Sequence, residues 1–158
     1  MLIGYKKSLR TIVVVLPVGL VWACSNAFAA YEWLTMSGDG ERPYKAGQDL
    51  IQVSPQSIQG NPELRTMEVR VHRSAQRTNW DGIPYRSYVG IVEFDCVKKT
   101  ARYALMNYYM TPLWEGPVHQ TIAYPISQPR LMAFRDVVPN PKDRIVKAAC
   151  TSQSVLSN

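Results

Sequence analysis

The first thirty residues predict that this chain is exported, and export determines how its cysteines are interpreted. Three basic residues (Lys6, Lys7 and Arg10) precede a short apolar run at residues 11–22, and Ala27-Phe28-Ala29 follows closely. Small residues at those two alanine positions are what a signal peptidase reads. We therefore expect a signal peptide at residues 1–29, cleavage between Ala29 and Ala30, and a mature domain at residues 30–158.

Cleavage at this point removes Cys24 and leaves two cysteines, Cys96 and Cys150. Exported proteins fold in compartments that oxidise thiols, so an even pair of cysteines predicts a disulfide. The bridge would close a loop spanning 54 positions. Chain entropy then gives roughly 4 kcal/mol of stabilisation, a large share of the stability of a small domain.

Cys24 leaves one alternative open for the start of the mature chain. Val21-Trp22-Ala23-Cys24-Ser25 resembles a lipoprotein box, in which the cysteine is acylated and anchors the domain to a membrane surface. Trp22 is bulky where such boxes prefer a small residue, and the Ala29 site lies just downstream. Removal of Cys24 is therefore favoured, and membrane contact is expected only if Cys24 is acylated.

Length and charge narrow the class of protein. Removing 29 residues from 158 leaves 129, which is enough for one domain with a single core. The net charge of +6 includes three basic residues of the leader, so the mature domain carries about +3. A mild, dispersed positive charge on an exported chain argues against a nucleic-acid-binding protein.

Alternating and β-rich segments predict a single antiparallel sheet of about five to six strands with a C-terminal helix, an α+β fold. A turn-rich loop is expected at Gln76–Pro84, and apolar side chains on both faces of the strand after it predict cover on both sides. Short connections favour antiparallel hairpins. The expected strands are Glu32–Met36, Leu50–Val53, Thr66–His72, Tyr85–Cys96, Ala101–Met110 and Val118–Tyr124, with Leu131–Val137 as a further candidate.

The last element is predicted to be a helix at Pro141–Cys150. Asn140-Pro141 places a favoured capping residue before a proline at the first helical position. Ile145 and Ala149 are spaced to share one apolar face. A helix this short is unstable alone and must dock on the sheet, and a Cys96–Cys150 bridge would hold it there.

Few residues suggest catalysis or metal binding. His72 and His119 lack further ligands at metal spacing, and His72 occupies a polar position of an alternating strand, so we expect it to be solvated. Glu93 and Asp95 share a strand face and could form an acid/base pair, but a strand entering solvent explains them equally. We predict no enzyme activity, no metal and no cofactor.

Aromatic residues are the stronger indication of function. Trp80 lies in a polar loop with Arg77 and Asp81, and exposed loop aromatics and arginines often dominate protein binding sites. We expect these three residues to form a binding loop. Core packing is expected for most of the tyrosines in the following hairpin, which is crowded with Tyr103, Tyr108, Tyr109 and Trp114.

Several of these segments together resemble the surface-adhesin protein E family of Gram-negative bacteria. They are Pro84-Tyr85-Arg86-Ser87, the strand end at Cys96, Tyr103 and Tyr108, Trp114-Glu115-Gly116, and Ala148-Ala149-Cys150. The resemblance implies an antiparallel sheet tied to a C-terminal helix by the cysteine pair. It also implies an envelope or surface protein that binds host matrix proteins or plasminogen and can form homodimers.

We therefore expect an exported, non-enzymatic interaction protein with a protein partner and no nucleic-acid partner. Its location would be periplasmic or extracellular, with outer-membrane association if Cys24 is acylated. Two alternatives stay open at this point. One is a periplasmic accessory protein without adhesin activity, and the other is a periplasmic enzyme, which would need a cleft with convergent titratable groups.

Overall fold

A computed structural model describes residues 32–37 and 47–151 of the chain. The expected signal peptide, the cleavage site at Ala29 and Ala30, and Cys24 lie outside the described residues. Among the residues that are described, no helix has the length and apolar character needed to cross a membrane.

The described residues form an antiparallel sheet with a C-terminal helix, which is the predicted fold class, and the sheet has seven strands where about five to six were expected. Strands β1 to β6 are neighbours in chain order, and β7 pairs with β5 beside β6. A 3-10 turn at Pro112–Trp114 follows β5. The elements are β1 (Leu34–Ser37), β2 (Leu50–Gly60), β3 (Leu64–Thr78), β4 (Pro84–Asp95), β5 (Thr100–Tyr109), β6 (Gln120–Ala123), β7 (Arg130–Leu131) and α1 (Lys142–Thr151).

The central hairpin is longer than its sequence predicts. β3 continues to Thr78, so only residues 79–83 form the connection to β4, and the expected loop at Gln76–Pro84 is wrong in its extent. The Asn79 side-chain oxygen accepts hydrogen bonds from the backbone N–H groups of Asp81 and Ile83, at 2.9 and 2.8 Å. This asparagine stabilises the turn locally, so β3 and β4 stay paired as far as the residues that flank it.

The expected strand at Leu131–Val137 is largely absent, because pairing stops after β7. The following segment, residues 132–137, instead contributes Met132, Phe134 and Val137 to the core, and the alternation of Met132 and Phe134 ends before Val137. An alternating pattern indicates which side chains are buried. Here those side chains are buried although the segment makes no further strand pairing after β7.

One face of the sheet, called the inner face below, carries the apolar core. It packs against Ile145, Val146 and Ala149 of α1 and against segment 132–137. The fully buried side chains of its strands include Ile51, Val53, Met67, Val69, Val92, Phe94, Tyr103 and Tyr108. The opposite, outer face of β4 is buried at Ser87 but 37% exposed at Ile91, so the expectation that both faces of this strand are covered holds only at the Ser87 end.

Helix α1 begins one residue after the predicted start. The Asn140 side-chain oxygen accepts a hydrogen bond from the Lys142 N–H at 3.0 Å, which confirms its capping role. At the other end, the buried Arg65 guanidinium of β3 donates to the Ala149 carbonyl at 2.9 Å. A cation at this position also complements the negative end of the helix dipole.

The predicted disulfide between Cys96 and Cys150 is confirmed, and it links the end of β4 to the last turn of α1. The two Cα atoms lie 5.5 Å apart, within the usual range for a disulfide. Together with the Arg65 hydrogen bond, the bridge fixes the C-terminal end of the helix on the inner face.

A second packed region lies on the outer face around Arg70. Its guanidinium lies between the rings of Trp33 and Trp114, 4.0 and 4.2 Å from their centroids. The Trp114 indole N–H donates to the carbonyls of Val71 and Tyr88, at 3.2 and 2.8 Å. The 3-10 turn is thereby fastened to the β3–β4 pair.

Replacing both Cys96 and Cys150 with serine should lower the free energy of unfolding by about 4 kcal/mol, because the unfolded chain regains the entropy that the bridge removes. Urea denaturation of the oxidised protein and the double variant measures the difference. A change below about 1 kcal/mol would contradict this role for the bridge.

Trp114→Phe should lower the free energy of unfolding by about 2 kcal/mol, because the variant loses an indole donor to two backbone carbonyls. Trp80→Phe is the matched control, because the variant keeps an aromatic ring and the Trp80 indole N–H donates no hydrogen bond within the described residues, so the loss should be smaller, about 0.5 kcal/mol. Thermal denaturation of both variants gives the comparison, and equal losses would refute the proposed role of the indole N–H.

Candidate functional site

A cleft of about 360 Å³ opens at the end of the inner face where β3 and β4 form their hairpin. Its walls are the ends of β3, β4 and β5 on one side and residues 133–136 on the other. The volume lies within the range typical of ligand-binding pockets. The β3–β4 turn with Trp80 forms part of its edge.

Strand irregularities bring the aromatic residues of this cleft together. Tyr85 and Tyr88 are three positions apart and would lie on opposite faces of a regular strand. The β3–β4 register shifts between His72 and Arg77, and both tyrosines line the cleft. In β5, a shift at Ala104 similarly breaks the alternation. It places Tyr103, Met106 and Tyr108 on the same side, where all three line the cleft.

The tyrosines form one connected cluster. The Tyr85 ring lies 5.7 and 5.3 Å from the rings of Tyr88 and Tyr108, centroid to centroid. The hydroxyl groups of Tyr88 and Tyr103 are 2.8 Å apart, and those of Tyr108 and Tyr124 are 3.2 Å apart. Hydrogen bonds between the hydroxyls fix the ring orientations, so the cleft has rigid aromatic walls.

Burial keeps this cluster neutral. Desolvation is the main cause that raises the pKa of Tyr88, Tyr103 and Tyr124 above the ordinary value near 10. The pKa values of Tyr85 and Tyr108 are raised for the same reason. At physiological pH these hydroxyls are therefore hydrogen-bonding groups and not phenolate bases or nucleophiles.

Arginines form the polar part of the cleft. Arg73 is only 5% exposed; its Nη1 lies 3.3 Å from the Asp49 carboxylate, and its Nη2 donates to the Arg135 carbonyl at 2.9 Å. Arg77 pairs with Asp136 at 3.3 Å. These contacts fasten β3 to segment 132–137 across the cleft, so the arginines both build the wall and give it positive charge.

The predicted binding loop lies at the edge of this cleft. Trp80 is 41% exposed, and its ring lies 5.8 Å from that of Tyr103 and 6.1 Å from that of Tyr124. Asp81 accepts a hydrogen bond from the Tyr124 hydroxyl at 2.8 Å and lies 3.5 Å from Arg130. The structure thus brings Trp80, Asp81 and Arg77 to one rim, and their role in binding stays a prediction.

Other residues singled out from the sequence lie elsewhere. His72 is fully buried on the outer face, where its Nδ1 accepts a hydrogen bond from the Leu113 N–H at 3.3 Å, so the expectation of a solvated histidine is wrong. The 3-10 turn covers it, which alternation along β3 alone does not reveal. His119 is exposed beside β6.

Glu93 and Asp95 do not form a shared site. Glu93 makes a two-pronged ion pair with Arg102, at 2.9 and 2.7 Å. Asp95 accepts a hydrogen bond from the Lys98 backbone N–H, which is the main cause that lowers its pKa. Within residues 32–37 and 47–151, no group of three or more His, Cys, Asp and Glu side chains is arranged to hold a metal.

Most of the cleft was not predicted as a site from the sequence. Arg73 lies in β3 whereas Arg135 and Asp136 are neighbours in segment 132–137, and only the long-range packing of that segment brings them to Arg73. Local signals existed for two pairs, Tyr85 with Tyr88 and Tyr103 with Met106, whose spacing of three breaks strand alternation. Such a break in an otherwise regular strand indicates a bulge, and bulges are frequent beside binding sites.

Comparison with known families decides the classification. The family model described as surface-adhesin protein E matches residues 33–151. The chain belongs to this family. It is therefore a surface-adhesin-like protein of the cell envelope, and the membership indicates a non-enzymatic role in binding other proteins. No curated protein and no solved structure matches the chain significantly.

Raising the pH above about 10 should progressively lower the free energy of unfolding. The folded state holds its tyrosine protons more tightly than the unfolded chain does. The stabilisation is therefore complete below the unfolded pKa and is lost as the pH rises toward the raised folded values. Urea denaturation across this range measures the slope, and Tyr103→Phe should reduce it. Ionisation of all tyrosines near their ordinary pKa without unfolding would contradict burial of the cluster.

Proposed function

We propose that the chain is an exported adhesin-type protein that binds a protein partner through the cleft and its Trp80 rim. The observation that carries the proposal is the exposed Trp80 ring beside a rigid tyrosine cluster. Exposed tryptophans flanked by arginines are the residue types that dominate binding energy at protein interfaces. A pre-formed aromatic cleft also binds without a large entropic cost of ordering.

The chemistry of the cleft supports binding more than catalysis. Its tyrosines are held neutral, and its arginines Arg73 and Arg77 are paired with Asp49 and Asp136 in structural contacts within the protein. Catalysis of proton transfer needs a group whose pKa lies near the working pH. The tyrosines do not meet this requirement, since burial moves their pKa away from neutrality.

The partner class that we propose is a host matrix protein or plasminogen, following the family to which the chain belongs. For the location we propose export through a signal peptide cleaved between Ala29 and Ala30. The mature domain is then free in the periplasm or outside the cell, and acylation at Cys24 would instead hold it at the outer membrane. Homodimer formation is a further part of the proposal that gel filtration of the mature domain tests.

Binding of the mature domain to immobilised plasminogen and host matrix proteins tests this function. Trp80→Ala should weaken binding by about tenfold or more, the loss typical of an interface hot spot. Val97→Ala is the matched control, because Val97 is 72% exposed and lies in the β4–β5 turn beside Cys96, outside the cleft. Equal binding by Trp80→Ala and the unchanged protein would contradict the proposed site.

Absence of binding to both host classes would contradict the host-binding part of the proposal. Protease treatment of intact cells then distinguishes a surface protein from a periplasmic one, because only the surface protein is digested. Mass analysis of the mature N-terminus separates cleavage before Ala30 from acylation of Cys24.

A further inference from the structure

The arginine wall of the cleft carries a positive charge that its own carboxylates do not balance. Arg73, Arg77 and Arg135 line the cleft, and the two carboxylates paired with them are Asp49 and Asp136. Arg135 has no carboxylate within ion-pair distance among the described residues. The wall therefore has one guanidinium in excess, which favours an anionic group in the cleft.

Two donors in this wall lack partners. The Nε–H groups of Arg73 and Arg77 are buried and make no hydrogen bond within the described part of the chain. Arg73 is otherwise fully engaged and is 95% removed from solvent, so its orientation is fixed. A buried donor without an acceptor costs about 1–3 kcal/mol. Because both Nε atoms are covered by protein, a carboxylate in the cleft meets the exposed parts of Arg77 and Arg135 instead.

The rest of the cleft suits an aromatic group. Tyr85 presents a partly exposed ring, and Tyr88, Met106, Tyr108 and Phe134 lie behind it, each 5% exposed or less. Their walls enclose about 360 Å³, which is room for one large side chain and a neighbouring polar group. Aromatic side chains gain from edge-to-face contacts with such rings beyond the burial of their surface.

We propose that the cleft binds an acidic segment of a protein partner in which a carboxylate adjoins an aromatic side chain. The aromatic ring packs against Tyr85 at the mouth of the cleft, and the carboxylate accepts hydrogen bonds from the arginine wall. This inference rests on the proposed function, because it names the chemistry that the same cleft recognises. It adds that the partner must carry a carboxylate, which does not follow from the exposed Trp80 ring.

A blocked hexapeptide, Gly-Ser-Phe-Glu-Ser-Gly, tests the proposal by calorimetric titration into the mature protein. It should bind about tenfold more tightly than the same peptide with Gln in place of Glu, because charge-assisted hydrogen bonds are worth more than neutral ones. Replacing Phe with Ala should also weaken binding. The preference for Glu should fall as salt rises, since part of it is electrostatic.

Arg135→Gln and the double variant R77Q/R135Q should lose the preference for Glu over Gln while still binding the aromatic group. Lys147→Gln is the matched control, because it removes one positive charge from the exposed face of α1, away from the cleft. Each variant is compared with the parent by thermal denaturation. Retention of the parent's preference in a folded R77Q/R135Q variant would overturn the arginine assignment.

Equal binding of the Glu and Gln peptides, or no binding of either at millimolar concentration, would overturn the carboxylate proposal. Neither result affects plasminogen or matrix binding that depends on Trp80, so the proposed function would stand. If Trp80→Ala binds the host proteins as well as the parent does while the Glu peptide still binds more tightly than the Gln peptide, the proposed function is overturned. The cleft would then be a carboxylate-binding site only.

Discussion

The covalent link between Cys96 and Cys150 is the constraint on which the rest of the structure depends. β5, β6, β7 and segment 132–137 all lie within the loop that it closes. α1 has ten residues, too few for a stable isolated helix. Because the bridge and Arg65 hold α1, segment 132–137 is anchored at both ends, through β7 and through the helix. One wall of the cleft thus depends on a bond formed elsewhere in the domain.

Local signals predicted much of this fold. The cap at Asn140 and the helical spacing of Ile145 and Ala149 fixed α1 to within one residue, because capping and amphipathicity are short-range properties. Alternation in the centre of β3 and the β-rich run of β4 located the core strands for the same reason. The disulfide could be predicted without any structural geometry, because an oxidising compartment and an even number of cysteines were sufficient.

The cleft and the outer-face packing depend on contacts that are distant in sequence, so they could not be predicted in the same way. His72 occupies a polar position of β3, yet the turn at Pro112–Trp114 buries it. Arg73 and Arg135 are 62 positions apart, and only the docked segment brings them together. The predicted binding residues, Arg77, Trp80 and Asp81, are close in sequence at the end of β3 and in the turn after it, and they account for a single rim.

Each of the first four strand pairings contains one shift of register, between β1 and β2 through to β4 and β5. In a regular strand, inserting or deleting one residue would move every later side chain to the opposite face. A bulge accommodates an extra residue locally and leaves the ladder beyond it in place. Related chains can therefore change length at these points and reshape the cleft rim while the buried core keeps its facing residues.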